Sequence, residues 1–295
     1  MGVLSIILGI ILILFIMNRV NLYHHNKKTL DLKTPLYSEK IGKNRKNIVL
    51  LHGLMGSGRY WNQIVEPLSQ KFTLLIPDWL GFGRSPWPNI DYTADEQVKA
   101  LSETIDSNLQ MQKINLVGHS MGALLSLHYA AQNKERIEKI ILISPPLMTD
   151  KKDFKDQEKI YPMMEGVISF NPIVAPLLCH LHESLGPLIV PLFRFFSSDL
   201  PREVSEDAAL HIWKSAQGSL KNVVLGESLE QLLQKTAGIP TLILIGDHDI
   251  HAHVGTIKIL AEKYKISYQI FEGDHNFMLQ QPKKVMDRIN EFLAE

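Results

Sequence analysis

From Asn47 onward, short apolar runs alternate with longer stretches in which apolar residues recur every three or four positions. The runs 47–51, 72–76, 114–117, 140–143, 241–245 and 267–271 are aliphatic, the composition of strands covered on both faces, and they predict six buried strands. Between them, Thr93-Ala94-Asp95-Glu96 has the spacing of a capping box, followed by Val98, Leu101, Ile105 and Leu109 on one helical face. A last helix is predicted to open at Pro282 and to present Val285, Ile289, Phe292 and Leu293 on one side. Strands alternating with helices in this way predict an α/β fold with a mostly parallel sheet covered on both faces.

The alternation stops over residues 147–238. Eight of the fifteen prolines fall between Pro145 and Pro201, which breaks this region into short helices and turns and predicts an inserted helical cap. Within it, the stretch from Asn171 to Phe196 is strongly apolar. It reads as helices packed on the core that also wall a pocket for an acyl chain. The cap carries only two arginines, Arg194 and Arg202.

At the other end, Val3 to Met17 is fifteen residues without a charge or a proline. At about 1.5 Å per residue it reaches roughly 22 Å, so neighbouring residues up to Leu22 must contribute if it is to cross a hydrocarbon core of roughly 30 Å. No basic residue precedes the run and no small-residue cleavage site follows it, so an uncleaved membrane anchor is expected. Ile6 stands where N-myristoylation requires Ser or Thr. From Arg19 to Lys46 there are eight Lys or Arg against Asp31 and Glu39, a flank that is expected to stay on the cytoplasmic side of a membrane. The expected organisation is an anchor over 1–22, a basic linker and edge strand over 23–46, core over 47–146, cap over 147–238 and core again over 239–295.

Charge adds an exclusion. Lys plus Arg and Asp plus Glu both total 31, so there is no net positive field to gather a nucleic acid. The single cysteine, Cys179, has no second thiol to pair with and reads as a buried structural thiol.

The chemistry centres on Gly118-His119-Ser120-Met121-Gly122, which follows the strand 114–117 and opens a helix through Leu124, Leu127 and Ala131. That strand-turn-helix setting is what a nucleophile elbow requires, with Ser120 presented alone at the strand end. A serine hydroxyl is a weak nucleophile that needs a base to take its proton and an acid to orient the base. Asp249 and His275 stand just past the carboxyl ends of the strands 241–245 and 267–271, where ligand sites form in open α/β sheets. The backbone amides of Leu54, in the turn after 47–51, and of Met121 are the expected oxyanion hole. His52 reads as a structural histidine. Asp247, His248, Asp249, His251 and His253 crowd one loop without the helical spacing of a zinc hydrolase, so solvent-facing loop histidines are expected rather than a metal site.

Leu50-Leu51-His52-Gly53, the segment from Pro77 to Ser85, Gly118 to Gly122, Gly246 to Asp249 and Asp274-His275 together resemble the α/β-hydrolase superfamily, from about Leu36 to the C-terminus apart from the cap. The resemblance makes Asp249, rather than Asp247, the acid that follows Gly246. It gives the segment from Asp78 to Ser85 the part of a structural turn. The sequence departs from the family at the amino-terminal sheet edge: the family's first two antiparallel strands would lie between about Leu22 and Ile41, and only 36–41 looks strand-like, so a shortened edge is expected. It implies an esterase- or lipase-type serine hydrolase without cofactor or metal, similar to membrane-anchored monoacylglycerol-lipase-like relatives, acting on a small lipophilic ester. Carbon-carbon bond hydrolases share the triad, and non-catalytic ligand-binding members share the fold.

Overall fold

The computed structural model describes residues 9–13, 35–147, 200–208 and 210–295. Seven strands of these residues form one sheet: β1 (Ser38–Ile41), β2 (Asn47–Leu51), β3 (Thr73–Pro77), β4 (Ile114–His119), β5 (Ile137–Ile143), β6 (Thr241–Gly246) and β7 (Ser267–Phe271). Their order across the sheet is β1-β3-β2-β4-β5-β6-β7, with β1 antiparallel to β3 and every other pair parallel. The aliphatic runs become strands because helices cover both faces. Along β2, Val49 and Leu51 join one buried cluster while Ile48 and Leu50 join the other, the alternation a pleated strand imposes.

The first cluster packs under α2 (Ala94–Leu109), α3 (Met121–Gln132), α6 (Leu229–Lys235) and α7 (Val254–Tyr264), and the second under α1 (Asn62–Ser69), α8 (Phe277–Gln280) and α9 (Pro282–Ala294). The expected capping box starts α2: the Glu96 amide donates to Thr93 Oγ1 at 3.3 Å, and the Thr93 amide donates to the Glu96 carboxylate at 2.8 Å. Pro282 opens α9, whose Val285, Ile289, Phe292 and Leu293 are buried.

One strand departs from expectation. Ser267, Tyr268 and Gln269 of β7 are exposed, because β7 is the outer edge of the sheet with β6 as its only neighbour, so it is not covered on both faces.

Of the cap, the described part contains α4 (Arg202–Asp207), α5 (Trp213–Ser219), a π-helical turn (Leu220–Val224) and α6. The apolar stretch from Asn171 to Phe196, with Cys179 and Arg194, lies outside the described residues. Asp207, at the end of α4, fastens the cap to the core: its carboxylate accepts from Arg59 Nε at 2.8 Å, from Arg59 Nη2 and from the Ser57 hydroxyl. The segment from Asp78 to Ser85 is a buried turn in which Trp79, Leu80 and Phe82 pack into the core. Of the apolar run near the amino terminus, residues 9–13 are described. They are helical and expose Ile10, Ile11, Leu12 and Ile13. No helix among the described residues is long and apolar enough to cross a membrane.

Candidate active site

Ser120 stands between the last residue of β4 and the first turn of α3 with φ 53° and ψ −122°, a conformation that costs a non-glycine residue about 1–3 kcal/mol. The surrounding chain holds it there. The Ser120 amide donates to the Ile143 carbonyl of β5 at 2.9 Å, and the Ala123 amide donates back to the Ser120 carbonyl at 2.9 Å. The turn is tight enough that a Cβ on Gly122 would collide with the Leu51 and His52 carbonyl oxygens. These contacts leave Ser120 partly exposed above a buried strand.

The loop after β2 comes equally close. A Cβ on Gly53 would lie 3.0 Å from His119 Nδ1 and 3.1 Å from Ser120 Cβ, so glycine lets this backbone run against the elbow. Leu54 follows at once in the turn closed by the Gly56 amide on the Gly53 carbonyl at 3.3 Å. Met121 is the first residue of α3, where amides have no partner within the helix. Among the described hydrogen bonds neither amide has an acceptor. His52 beside them is fully buried and saturated: Nδ1 donates to the Gly53 carbonyl at 2.7 Å, and Nε2 accepts from the Trp79 amide at 3.0 Å. Burial pushes its pKa down, and both ring nitrogens are engaged in holding the loop.

Asp249 and His275 meet. Nδ1 of His275 lies 3.0 Å from both carboxylate oxygens of Asp249, whose Oδ1 also accepts from the amides of His251 at 2.9 Å and Ala252 at 3.1 Å. Burial alone would raise the carboxyl pKa, but the bond from His275, its charge and the backbone donors outweigh it and hold Asp249 at about 2. Asp247 points elsewhere. It accepts from the Gly273 amide at 2.8 Å and from His248 Nδ1 at 2.6 Å, is largely exposed, and does not reach His275. No hydrogen bond joins Ser120 to His275 among the described residues, and such bonds commonly tighten only when substrate binds.

The loop histidines divide. His248 and His253 face solvent as expected, but His251 does not: its ring packs edge-on against His275 with centroids 4.5 Å apart, and burial followed by the His275 charge lowers its pKa to about 4. The ordering of its amide onto Asp249 turns the side chain inward. Among the described residues no group of three or more His, Cys, Asp or Glu side chains is arranged to hold a metal ion. Sequence reasoning also missed His119, whose ring packs beside His275, and Tyr60, whose ring stacks on His119. His119 was visible as the second residue of the elbow motif, but nothing local tells where that side chain points.

A family model described as the alpha/beta hydrolase fold matches residues 46–282. The chain is 26% identical over 224 residues, 69% of its length and 53% of the relative's, to the probable lysophospholipase BODYGUARD 4 of Arabidopsis thaliana. It therefore spans about half the length of that relative. It is 27% identical over 286 residues, 88% of this chain and 80% of the relative, to the 1-acylglycerol-3-phosphate O-acyltransferase ABHD5 of Mus musculus. Among solved structures it is similar to the enol-lactonase from Burkholderia xenovorans LB400, with a TM-score of 0.66 at 22% identity over 88% of this chain and 96% of the other. A thermophilic esterase from Thermogutta terrifontis gives 0.66 at 20% identity over 88% and 93%. The match of the family model over most of the chain, on a sheet of this order with its elbow after β4, makes the chain a member of the α/β-hydrolase fold family.

Proposed function

We propose that this protein is a serine hydrolase that cleaves a carboxylic ester of a lipid or another lipophilic acyl compound. Ser120 attacks the ester carbonyl, and Nε2 of His275 takes its proton and returns it to the leaving alcohol. Asp249 holds the imidazole by Nδ1, and the amides of Leu54 and Met121 receive the developing oxyanion. The observation that carries this reading is the bond from His275 Nδ1 to the Asp249 carboxylate, 3.0 Å to either oxygen, at the same sheet end as the strained Ser120. That bond selects the tautomer with the lone pair on Nε2, the form a general base requires.

The lipophilic substrate rests on the apolar cap sequence and on relatives named lysophospholipase and acyltransferase. An acyl-enzyme can pass its acyl group to water or to a second hydroxyl, so the assay includes a glycerol-type acceptor beside water. Fluorophosphonate labelling should be abolished in Ser120→Ala, and a p-nitrophenyl ester series should show rising kcat/KM with chain length. Wild-type labelling of the purified variant refutes the nucleophile, and activity confined to acetate refutes the lipophilic pocket.

The same proposal includes attachment to a membrane through the apolar run from Val3 to Met17, with the hydrolase domain on the cytoplasmic side. The exposed helical residues Ile10 to Ile13 support it. Deleting residues 1–22 should release the protein from membranes that withstand salt washing, with turnover of a short ester unchanged. Full-length protein that washes off in high salt refutes it.

A further inference from the structure

His119 has no part in the chemistry proposed above, yet its ring is buried against three components of the site. Nε2 lies 3.0 Å from the main-chain carbonyl oxygen of His275. A carbonyl can only accept, so Nε2 carries the proton and donates it. Nδ1 is then a lone pair, and it lies buried against Gly53 without a hydrogen-bond partner among the described residues. One face of the ring stacks on Tyr60 with centroids 4.5 Å apart and planes 18° from parallel. The Tyr60 hydroxyl lies 3.5 Å from Asn276 Oδ1, so the stacked pair reaches both His275 and the residue after it. Burial, then the nearby His275, holds the His119 pKa at about 3, and the ring stays neutral when His275 takes up its proton.

The connectivity gives this contact its consequence. His119 and Ser120 are adjacent in the chain, whereas His275 lies 156 residues beyond His119. One hydrogen bond from the residue preceding the nucleophile therefore fixes the main chain that carries the base.

We propose that His119 is a positioning residue, whose Nε2–H grips the His275 carbonyl and sets the base in register with Ser120 while Tyr60 keeps the ring in place. The inference rests on the reading of Ser120 and His275 as nucleophile and base. A donor at this position is its essential feature, so a ring without a donor and a donor without a ring separate positioning from packing.

The test compares His119→Phe and His119→Gln on p-nitrophenyl acetate, with thermal melts alongside. His119→Phe keeps a ring to stack on Tyr60 but cannot donate, and kcat should fall about 10- to 100-fold, the scale of a small misplacement of reacting groups. KM should stay within about twofold and fluorophosphonate labelling should slow in step with kcat. His119→Gln restores an N–H donor and should recover to within about threefold of wild type. Wild-type kcat in His119→Phe overturns the inference, as does a loss in His119→Gln equal to that in His119→Phe. Should His119→Phe fail to fold, nitrogen-15 long-range NMR of the wild-type protein decides: the Nε2–H tautomer at His119 supports the inference and the Nδ1–H tautomer overturns it. Ser120→Ala, run in parallel, keeps the two readings apart. If that variant still turns over ester, the triad falls and takes the inference with it; if it is inactive while His119→Phe is wild type, the inference alone falls.

Discussion

Asp78, after β3, and Asp249, after β6, are buried carboxylates at the carboxyl end of one sheet, and each accepts from two backbone amides and from a basic side chain. For Asp78 the amides are those of Gly58 at 2.6 Å and Arg84 at 2.8 Å, and the side chain is the Arg84 guanidinium, with Nε at 3.3 Å. For Asp249 the amides are those of His251 and Ala252, and the side chain is the imidazole of His275. The first partner is charged at every accessible pH. The second is an imidazole, whose free ring nitrogen can take up a proton and return it. Two similar cradles thus hold different partners, a permanently charged guanidinium that locks a turn and an imidazole that serves as the base of the proposed mechanism.

The strongest way to break this comparison is to neutralise each carboxylate and ask what is lost. Asp249→Asn should lower kcat by about 10⁴, the scale found when the acid that orients a triad histidine is replaced. A variant that loses stability and keeps its turnover would make Asp249 another structural carboxylate.

Asp78→Asn should do the reverse. It leaves Arg84 without its buried partner, but Arg84 is 39% exposed and also pairs with Glu39, so the cost should be about 2–3 kcal/mol, below that of a fully buried pair. Urea unfolding reads this directly, and kcat at 25 °C should remain within about threefold of wild type. A loss of kcat on the scale of Asp249→Asn would draw the turn into the chemistry.

Acid sharpens the contrast. The folded-state pKa values of His119, about 3, and His251, about 4, lie below the ordinary value of 6.5. The unfolded chain therefore binds protons first, and the stability these neutral rings contribute is complete above pH 6.5 and declines as pH falls toward their folded values. Between pH 7 and pH 5 the loss should be about 2 kcal/mol for each histidine. Asp249 acts lower down: the stability from its depressed pKa is present above 3.8 and disappears as pH falls through about 2. His251→Leu should flatten the dependence of the melting temperature on pH between 7 and 5. An unchanged slope would show that His251 does not enter the balance.

The smallest effect concerns Asp247, two residues from Asp249 and largely exposed. Asp247→Asn can still accept from the Gly273 amide, so kcat should stay within about twofold and the melting temperature should hardly move. If Asp247→Asn instead disables turnover, the acid has been assigned to the wrong carboxylate.

The sequence by itself determined the strands 47–51, 114–117 and 241–245, the capping box at Thr93, the start of the last helix at Pro282 and the strand-turn-helix setting of Ser120. Each of these rests on hydrophobic period, cap chemistry or glycine spacing, which act over a few consecutive residues. Only the tertiary structure decided that β7 is an exposed edge, because a strand's burial depends on its neighbours and not on its own aliphatic content. It likewise turned His251 and His119 inward onto His275, and brought Asp207 across 150 residues to Ser57. All of these are contacts between residues far apart in the chain or directions of single side chains, and chain folding fixes them through the close packing of loops at one sheet end, for which no local pattern of residues carries a signal.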